Sequence, residues 1–283
     1  MPTHTTTHSA HTVLTPIVLT IAGSDSGGGA GIQADIKAIS ATGSYACSVI
    51  TAITAQNTLG VSAIFPIPLE HIEKQLDAVF SDLNIVAVKV GMLADSDTIK
   101  LVAAKLKQYQ PAFLVVDPVM VATSGDLLLQ ASAISTLKSE LLPLADLITP
   151  NLPEAAALTD SPLPTDDLAM RAMVDQLRQL EVKTVLLKGG HLEQEDNSTD
   201  LLILADRIEE LSAKRTPTQN THGTGCTLSS AIASYLAQGH DLLHAVQLGK
   251  NYISKAIEHA DELNIGAGHG PVNHFFQGHA NAG

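Results

Sequence analysis

Three groups of residues in this 283-residue chain have types and spacing suited to phosphate chemistry. The first is the run GSDSGGGAG at 23–31, in which five of nine residues are glycine. Glycine removes Cβ atoms where backbone must approach a ligand. The run is not a Walker loop, because no Gly-Lys-Ser/Thr follows, and its spacing does not match the dinucleotide fingerprint. The second is THGTGC at 221–226, followed at once by Cys226, Leu228, Ala231, Ile232, Tyr235 and Leu236 at helical spacing. That pattern puts Gly223, Thr224 and Gly225 at a helix N-terminus. Unpaired N–H groups and the positive end of the macrodipole favour an anion there. By the same reasoning the Cys226 thiol is expected below the free value of ~8.5.

The third group follows apolar runs: Asp117 in DPVM, Asn151 and Glu154 in NLPEAAAL, and Lys188 in KGGH. Asp117 and Glu154 are carboxylates suited to Mg²⁺, directly or through water. Lys188 can meet phosphate oxygens as a point charge. Each also has a plainer reading. Asp117 before Pro118 suits a turn, Glu154 suits the first turn of a helix, and Cys226 suits a small buried hydrophobe. His222 reads as a turn residue beside the anion loop. His240 and His244 have zinc-compatible spacing, but no third ligand is near and they read as surface residues.

These residues need a frame. Short apolar runs at 17–22, 46–52, 85–90, 114–116, 147–149 and 184–187 read as strands. Helical spacing covers 31–41, 69–83, 97–108, 131–141, a short stretch near Glu154, 166–180, 225–237 and 242–260. Residues 198–204 and 207–211 read as an antiparallel hairpin joined near 205–206. The alternation predicts an α/β fold, a mostly parallel central sheet with helices on both faces. Its ligand crevice would lie beyond the carboxyl ends of the strands, where all three groups fall. One domain over 16–275 is expected, between a disordered His- and Thr-rich extension at 1–15 and a flexible tail at 276–283.

Composition narrows the function. Hydrophobic residues are 45% and charged residues 16%, enough for a packed core. Acidic residues number 29 against 16 basic, a formal charge of −13, which argues against duplex nucleic acid as a partner. Aromatics are 3% and Trp is absent, so base-stacking platforms are not expected. No apolar run reaches the ~18–20 residues of a membrane span. The run at 17–22 lacks the preceding basic residues and cleavage pattern of a signal peptide. Cys47 and Cys226 form no metal-spaced pair or disulfide framework, which fits a reducing cytoplasm.

Eight motifs occur in order: GSDSGGGAGIQADIKA, TAITAQNT, VKVGML, DPVM, NLPEA, KGGH, THGTGCTLSSAIA and GHGPVNH. Together, over 16–274, they closely resemble the hydroxymethylpyrimidine/phosphomethylpyrimidine kinases of thiamine biosynthesis, within the ribokinase-like superfamily. The resemblance implies a ribokinase-like three-layer sandwich. It implies transfer of phosphate from ATP to 4-amino-5-hydroxymethyl-2-methylpyrimidine, then to the resulting monophosphate. The matching pocket positions are Gly23, Asp35, Gln56, Met92 and Val119, with Gln56 hydrogen-bonding the aminopyrimidine. The glycine-rich segment 266–274 would lie near the nucleotide.

On this reading Gly223, Thr224 and Gly225 present N–H groups to the transferring phosphoryl. Lys188 and Asn151 meet ATP, and Asp117 and Glu154 hold Mg²⁺. Cys226 accepts the hydroxyl proton as general base, which requires thiolate character. A pyridoxal-type kinase and a non-catalytic pyrimidine sensor are the alternatives. A homodimer is common among such enzymes, although no interface is read from the chain.

Overall fold

The computed structural model describes residues 15–120, 129, 132–190 and 197–278. Its strands are β1 (Ile17–Asp25), β2 (Tyr45–Asn57), β3 (Gly60–Pro66), β4 (Ile85–Val90), β5 (Phe113–Val116), β6 (Leu147–Ile148), β7 (Val185–Leu187), β8 (Asn197–Ile203) and β9 (Ile208–Lys214). They form one sheet in the order β3-β2-β1-β4-β5-β6-β7-β8-β9. Pairing is parallel from β2 through β1, β4, β5 and β6 to β7, and antiparallel for β2–β3, β7–β8 and β8–β9. The helices are α1 (Gly31–Ala41), α2 (Leu69–Asp82), α3 (Ser96–Tyr109), α4 (Ala133–Thr136), α5 (Leu152–Thr159), α6 (Asp167–Ala172), α7 (Val174–Arg178), α8 (Thr224–Ala237) and α9 (Leu242–Glu258).

The continuous apolar strands are covered on both faces. Leu19 and Ile21 of β1, with Val88 and Val90 of β4, pack into a core with α2, α3, α5, α6 and α7. Val18 and Ala87 face the other layer, with Ile39 of α1, Ile232 of α8 and Ile253 of α9. Side chains alternate along a strand, so Thr20 and Lys89 share the α1/α8 face with Val18 and Ala87. Full burial of each Leu or Ile contributes about 1.5–3 kcal/mol.

β1 lies between β2 and β4, so the order of strands reverses beside it. Such a switch point opens a crevice at the carboxyl ends of the strands. The first residues after β1, β4, β5, β6 and β7 emerge at that end.

Three elements differ from the sequence reading. β2 runs well beyond 46–52, and β3 was not anticipated. Together they form an antiparallel ribbon with much of its side-chain surface in water. Ile53 is 49% exposed and Phe65 63%, so burial imposes no alternation on this stretch. The helix expected over 166–180 is α6 and α7, parted at Met173. The helix expected over 131–141 begins as α4 and widens into a π turn at Leu137–Leu141. The expected extension, apart from Thr15, lies outside the described residues, as do His191 and 279–283. Phe276, assigned above to a flexible tail, instead packs against Tyr252 and His259.

Candidate active site

The glycine-rich loop is organised by Asp25. Its Oδ1 accepts the N–H of Gly27 at 2.8 Å, and its Oδ2 accepts those of Gly29 and Ala30 at 3.0 and 2.8 Å. His222 Nε2 reaches the same Oδ2 at 2.9 Å. Burial works to raise the Asp25 pKa, but the bonds from His222, Ala30 and Gly27 hold it below the usual carboxylate value. The loop is thereby clasped to the anion loop. His222 is buried and forms an isolated bridge with Pro271.

Gly223 caps α8 at φ +80°, and a Cβ there would run into the Gly29 carbonyl. Only glycine fits both constraints. α8 has no side-chain cap, as an anion site requires. Thr224 departs from expectation. Its N–H and hydroxyl both turn back to the Thr221 carbonyl, at 3.2 and 2.7 Å. Gly225 and Cys226 follow in the first turn of α8, where N–H groups have no intrahelical partner.

Beneath Cys226 lies a closed ion pair. Lys89 Nζ donates to both oxygens of Asp35 at 2.8 and 2.9 Å, and both side chains are 0% exposed. Thr20 and Ser230 hydroxyls also donate to Asp35, at 2.6 and 2.7 Å. Burial opposes the charge on Lys89, but Asp35, with Cys226 and Asp117 also near, holds its pKa above the usual lysine value. Asp35 was expected to face the substrate. Instead it is engaged by three protein donors, so its direct role is to fix Lys89 and Ser230.

The Cys226 expectation is also corrected. The residue keeps some surface, but burial of the thiol pushes its pKa up to about 11. Lys89 and the Gly31 backbone pull it down, while Asp35 and Asp117 raise it. Desolvation is the largest influence on the thiol. The resting group is a thiol, not a thiolate.

Across the strand ends, Asp117 Oδ1 accepts from Lys188 Nζ at 3.0 Å and from the Thr149 hydroxyl at 2.9 Å. Glu154 Oε2 lies 4.0 Å from the same Nζ. Burial would raise Asp117, but Lys188 and Lys89 keep its pKa low. Glu154 is pushed up to about 7, by burial and by Asp117, against the pull of Lys188. Lys188 itself is held above the usual lysine value because Asp117 and Glu154 outweigh its burial. Asn151 and Glu154 form a capping box on α5. The Asn151 oxygen accepts from the Glu154 N–H at 2.9 Å, and Glu154 Oε2 accepts from the Asn151 N–H at 2.8 Å. A Cβ on Gly225 would lie 3.2 Å from Lys188 Nζ and 3.4 Å from Asp117 Oδ2. The anion loop and the lysine–carboxylate cluster thus face each other closely.

Gly23 abuts Met92, where a Cβ would come within 2.9 Å of the Met92 Cε. Val119 follows Asp117 and is partly exposed. Gln56 is tied to the glycine-rich loop through Ser26, whose Oγ donates to the Gln56 carbonyl at 2.7 Å. The segment 266–274 docks on His222, whose N–H bonds the Gly270 carbonyl at 3.0 Å. His240 and His244 stack edge to face at 4.8 Å. No group of three or more His, Cys, Asp or Glu among the described residues is placed to hold a metal. Lys89 and Asp25 escaped the sequence reading. For Lys89 a signal existed: a charge inside the apolar run IVAVKV must meet a partner if that strand is buried.

Among solved structures, an ADP complex of Bacillus subtilis pyridoxal kinase matches with TM-score 0.84 and 33% identity, over 92% of this chain and 98% of that one. The phosphomethylpyrimidine kinase of Clostridium difficile 630 matches with TM-score 0.74 and 46% identity, over 85% of this chain and 99% of that one. The chain is therefore of the ribokinase-like α/β class. Residues 25–273 match the family described as phosphomethylpyrimidine kinase. The hydroxymethylpyrimidine/phosphomethylpyrimidine kinase of Rhizobium meliloti (strain 1021) is 52% identical over 262 residues, 93% of this chain and 98% of that protein. The chain belongs to the phosphomethylpyrimidine kinase family.

Proposed function

We propose that the chain is an ATP-dependent kinase of thiamine biosynthesis. It phosphorylates 4-amino-5-hydroxymethyl-2-methylpyrimidine to its monophosphate, and then the monophosphate to the diphosphate. The observation that carries this reading is the approach of Gly225 to Lys188 and Asp117, in a chain of this family. It brings uncapped helix N–H groups and a lysine to one point, which is what a transferring phosphoryl needs.

The roles follow from placement. The pyrimidine lies over the glycine-rich loop beside Gly23, Met92 and Val119, and the Gln56 amide meets its edge. The hydroxymethyl oxygen points toward Cys226. The N–H groups of Gly225 and Cys226 take the phosphoryl oxygens, with Gly223 making the bend and Thr224 bracing it. Lys188 neutralises phosphate charge, and the Asn151 amide nitrogen is the part of that residue outside the capping box. Cys226, as a thiol, positions the accepting oxygen rather than removing its proton. Asp35 acts from behind, through Lys89 and Ser230.

The cluster also fits Mg²⁺. Two buried carboxylates share one lysine, and burial, with Asp117 adding to it, pushes Glu154 up to about 7 against the pull of Lys188. Asp117 and Glu154 would hold the ion together with ATP phosphates, the usual mode for Mg²⁺. When bound, it supplies charge neutralisation at the phosphates.

We further assign one kinase domain to 16–275, acting in the cytoplasm. Two unpaired cysteines support that compartment, and no described helix is long and apolar enough to cross a membrane. Pyridoxal phosphorylation is the second reading, favoured by the TM-score of 0.84 to the Bacillus subtilis enzyme. Phosphorus NMR with Mg·ATP and three acceptors tests both. Conversion of hydroxymethylpyrimidine and its monophosphate supports the first reading. Turnover of pyridoxal alone supports the second. Silence on all three points to a non-catalytic pyrimidine sensor.

A further inference from the structure

His222 joins three segments at one point. Its backbone N–H bonds Gly270, its carbonyl accepts from Val272 at 3.4 Å, and its ring lies against Gly29 so closely that a Cβ there would collide. Its Nε2 is 2.9 Å from Asp25 Oδ2, and 3.5 Å from the amide nitrogen of Gln56. An ionised carboxylate is an acceptor only, so the bond to Asp25 requires the proton on Nε2. A protonated ring nitrogen cannot accept from the Gln56 amide. The Thr54 hydroxyl lies 3.1 Å from Gln56 Oε1 and shares its one proton with the nearer Ser24 carbonyl at 2.8 Å. Among the described residues the Gln56 N–H donors meet no acceptor but His222 Nε2, which its own proton closes to them.

We propose that Asp25 and His222 form a positioning dyad for substrate specificity. By fixing the His222 tautomer, Asp25 keeps the Gln56 N–H group directed at a ring-nitrogen acceptor of the pyrimidine. The inference rests on the reading of Gln56 as the group that meets the pyrimidine.

The test compares KM for hydroxymethylpyrimidine and for ATP in Q56A, H222L, H222Q, H222N and the H222L/Q56A double variant. The Gln amide nitrogen can reach the Asp25 oxygen from the Nε2 position, whereas the shorter Asn cannot. Loss of the charge-assisted bond in H222L should raise the pyrimidine KM about tenfold, with the ATP KM unchanged. H222Q should recover most of the loss and H222N should not. The double variant should be no worse than the poorer single variant, as expected for residues acting through one another. If H222L does not fold, the contrast between H222Q and H222N carries the test. Equal loss in H222Q and H222N, an ATP KM that rises in step, or additive effects in the double variant would overturn the dyad while leaving Gln56 in place. An unchanged pyrimidine KM in Q56A would instead remove the reading of Gln56, and the dyad's role with it.

Discussion

Lys89 and Lys188 are both lysines sunk beside carboxylates at the active end of the sheet, and they are satisfied in opposite ways. Lys89 meets one carboxylate, Asp35, which also receives Thr20 and Ser230. Charges match one to one, and the group is closed to water. Lys188 faces two carboxylates, Asp117 and Glu154, and its side chain keeps 14% of its surface. One more carboxylate than cation is present, and burial, more than the Asp117 charge, makes Glu154 hold its proton to about pH 7. The matched pair is a brace. The mismatched cluster is where the cation and phosphates are proposed to sit. Buried charge is therefore read from its balance, not from its presence.

The sharpest way to break the comparison is to unmatch the matched pair. Lys89→Met or Asp35→Leu alone leaves an uncompensated buried charge and should cost about 3–5 kcal/mol in chemical denaturation. The double substitution should cost clearly less than either single change. A small effect of the single variants would mean that water reaches the pair.

Gly225→Ala probes the other side. Ala suits a helical position and should hold or raise stability by about 0.5–1 kcal/mol. Its Cβ would press on Lys188 and Asp117, and a misplacement of that kind should lower kcat about 10²-fold. Wild-type turnover in this variant would remove the phosphoryl site from the mouth of α8.

Cys226 tests how far the two lysines reach. In a Cys47→Ala background, its alkylation rate should climb through pH 9 without a plateau near neutrality, because the thiol titrates at about 11. In single-turnover assays Cys226→Ala should slow both phosphoryl transfers by similar factors. A plateau below pH 8, with the first transfer slowed more than the second, would restore the general-base role.

Glu154 gives the last test. Its pKa is raised in the folded state, from 4.5 to about 7, so the fold binds its proton more tightly than the unfolded chain. Stability from this group is present below pH ~4.5 and declines as pH rises toward ~7. Glu154→Gln keeps a capping-box partner and should flatten that decline in metal-free denaturation between pH 5 and 8. An unchanged slope would mean that Lys188 fully compensates Glu154.

Much of the frame could be read directly from residue order. Apolar runs with helical stretches between them predicted parallel strands and both helical layers. A glycine ahead of an apolar helical stretch placed the anion loop, because capping and backbone freedom are local properties. The β2–β3 ribbon was hidden, since water on its surface erases the alternation that marks a strand. Site residues divided along the same line. Gly225, Asp117 and Lys188 come together as their positions after strands suggested. Asp35 finds Lys89 across 54 residues, and His222 finds Asp25 across 197. Neither pairing leaves a local pattern. The ionisation of Cys226 shows the boundary most clearly. A helix N-terminus is visible in the sequence and argues for a thiolate. The loss of water around the sulfur, with Asp35 and Asp117 nearby, comes only from the packed chain, and it pushes the thiol pKa up.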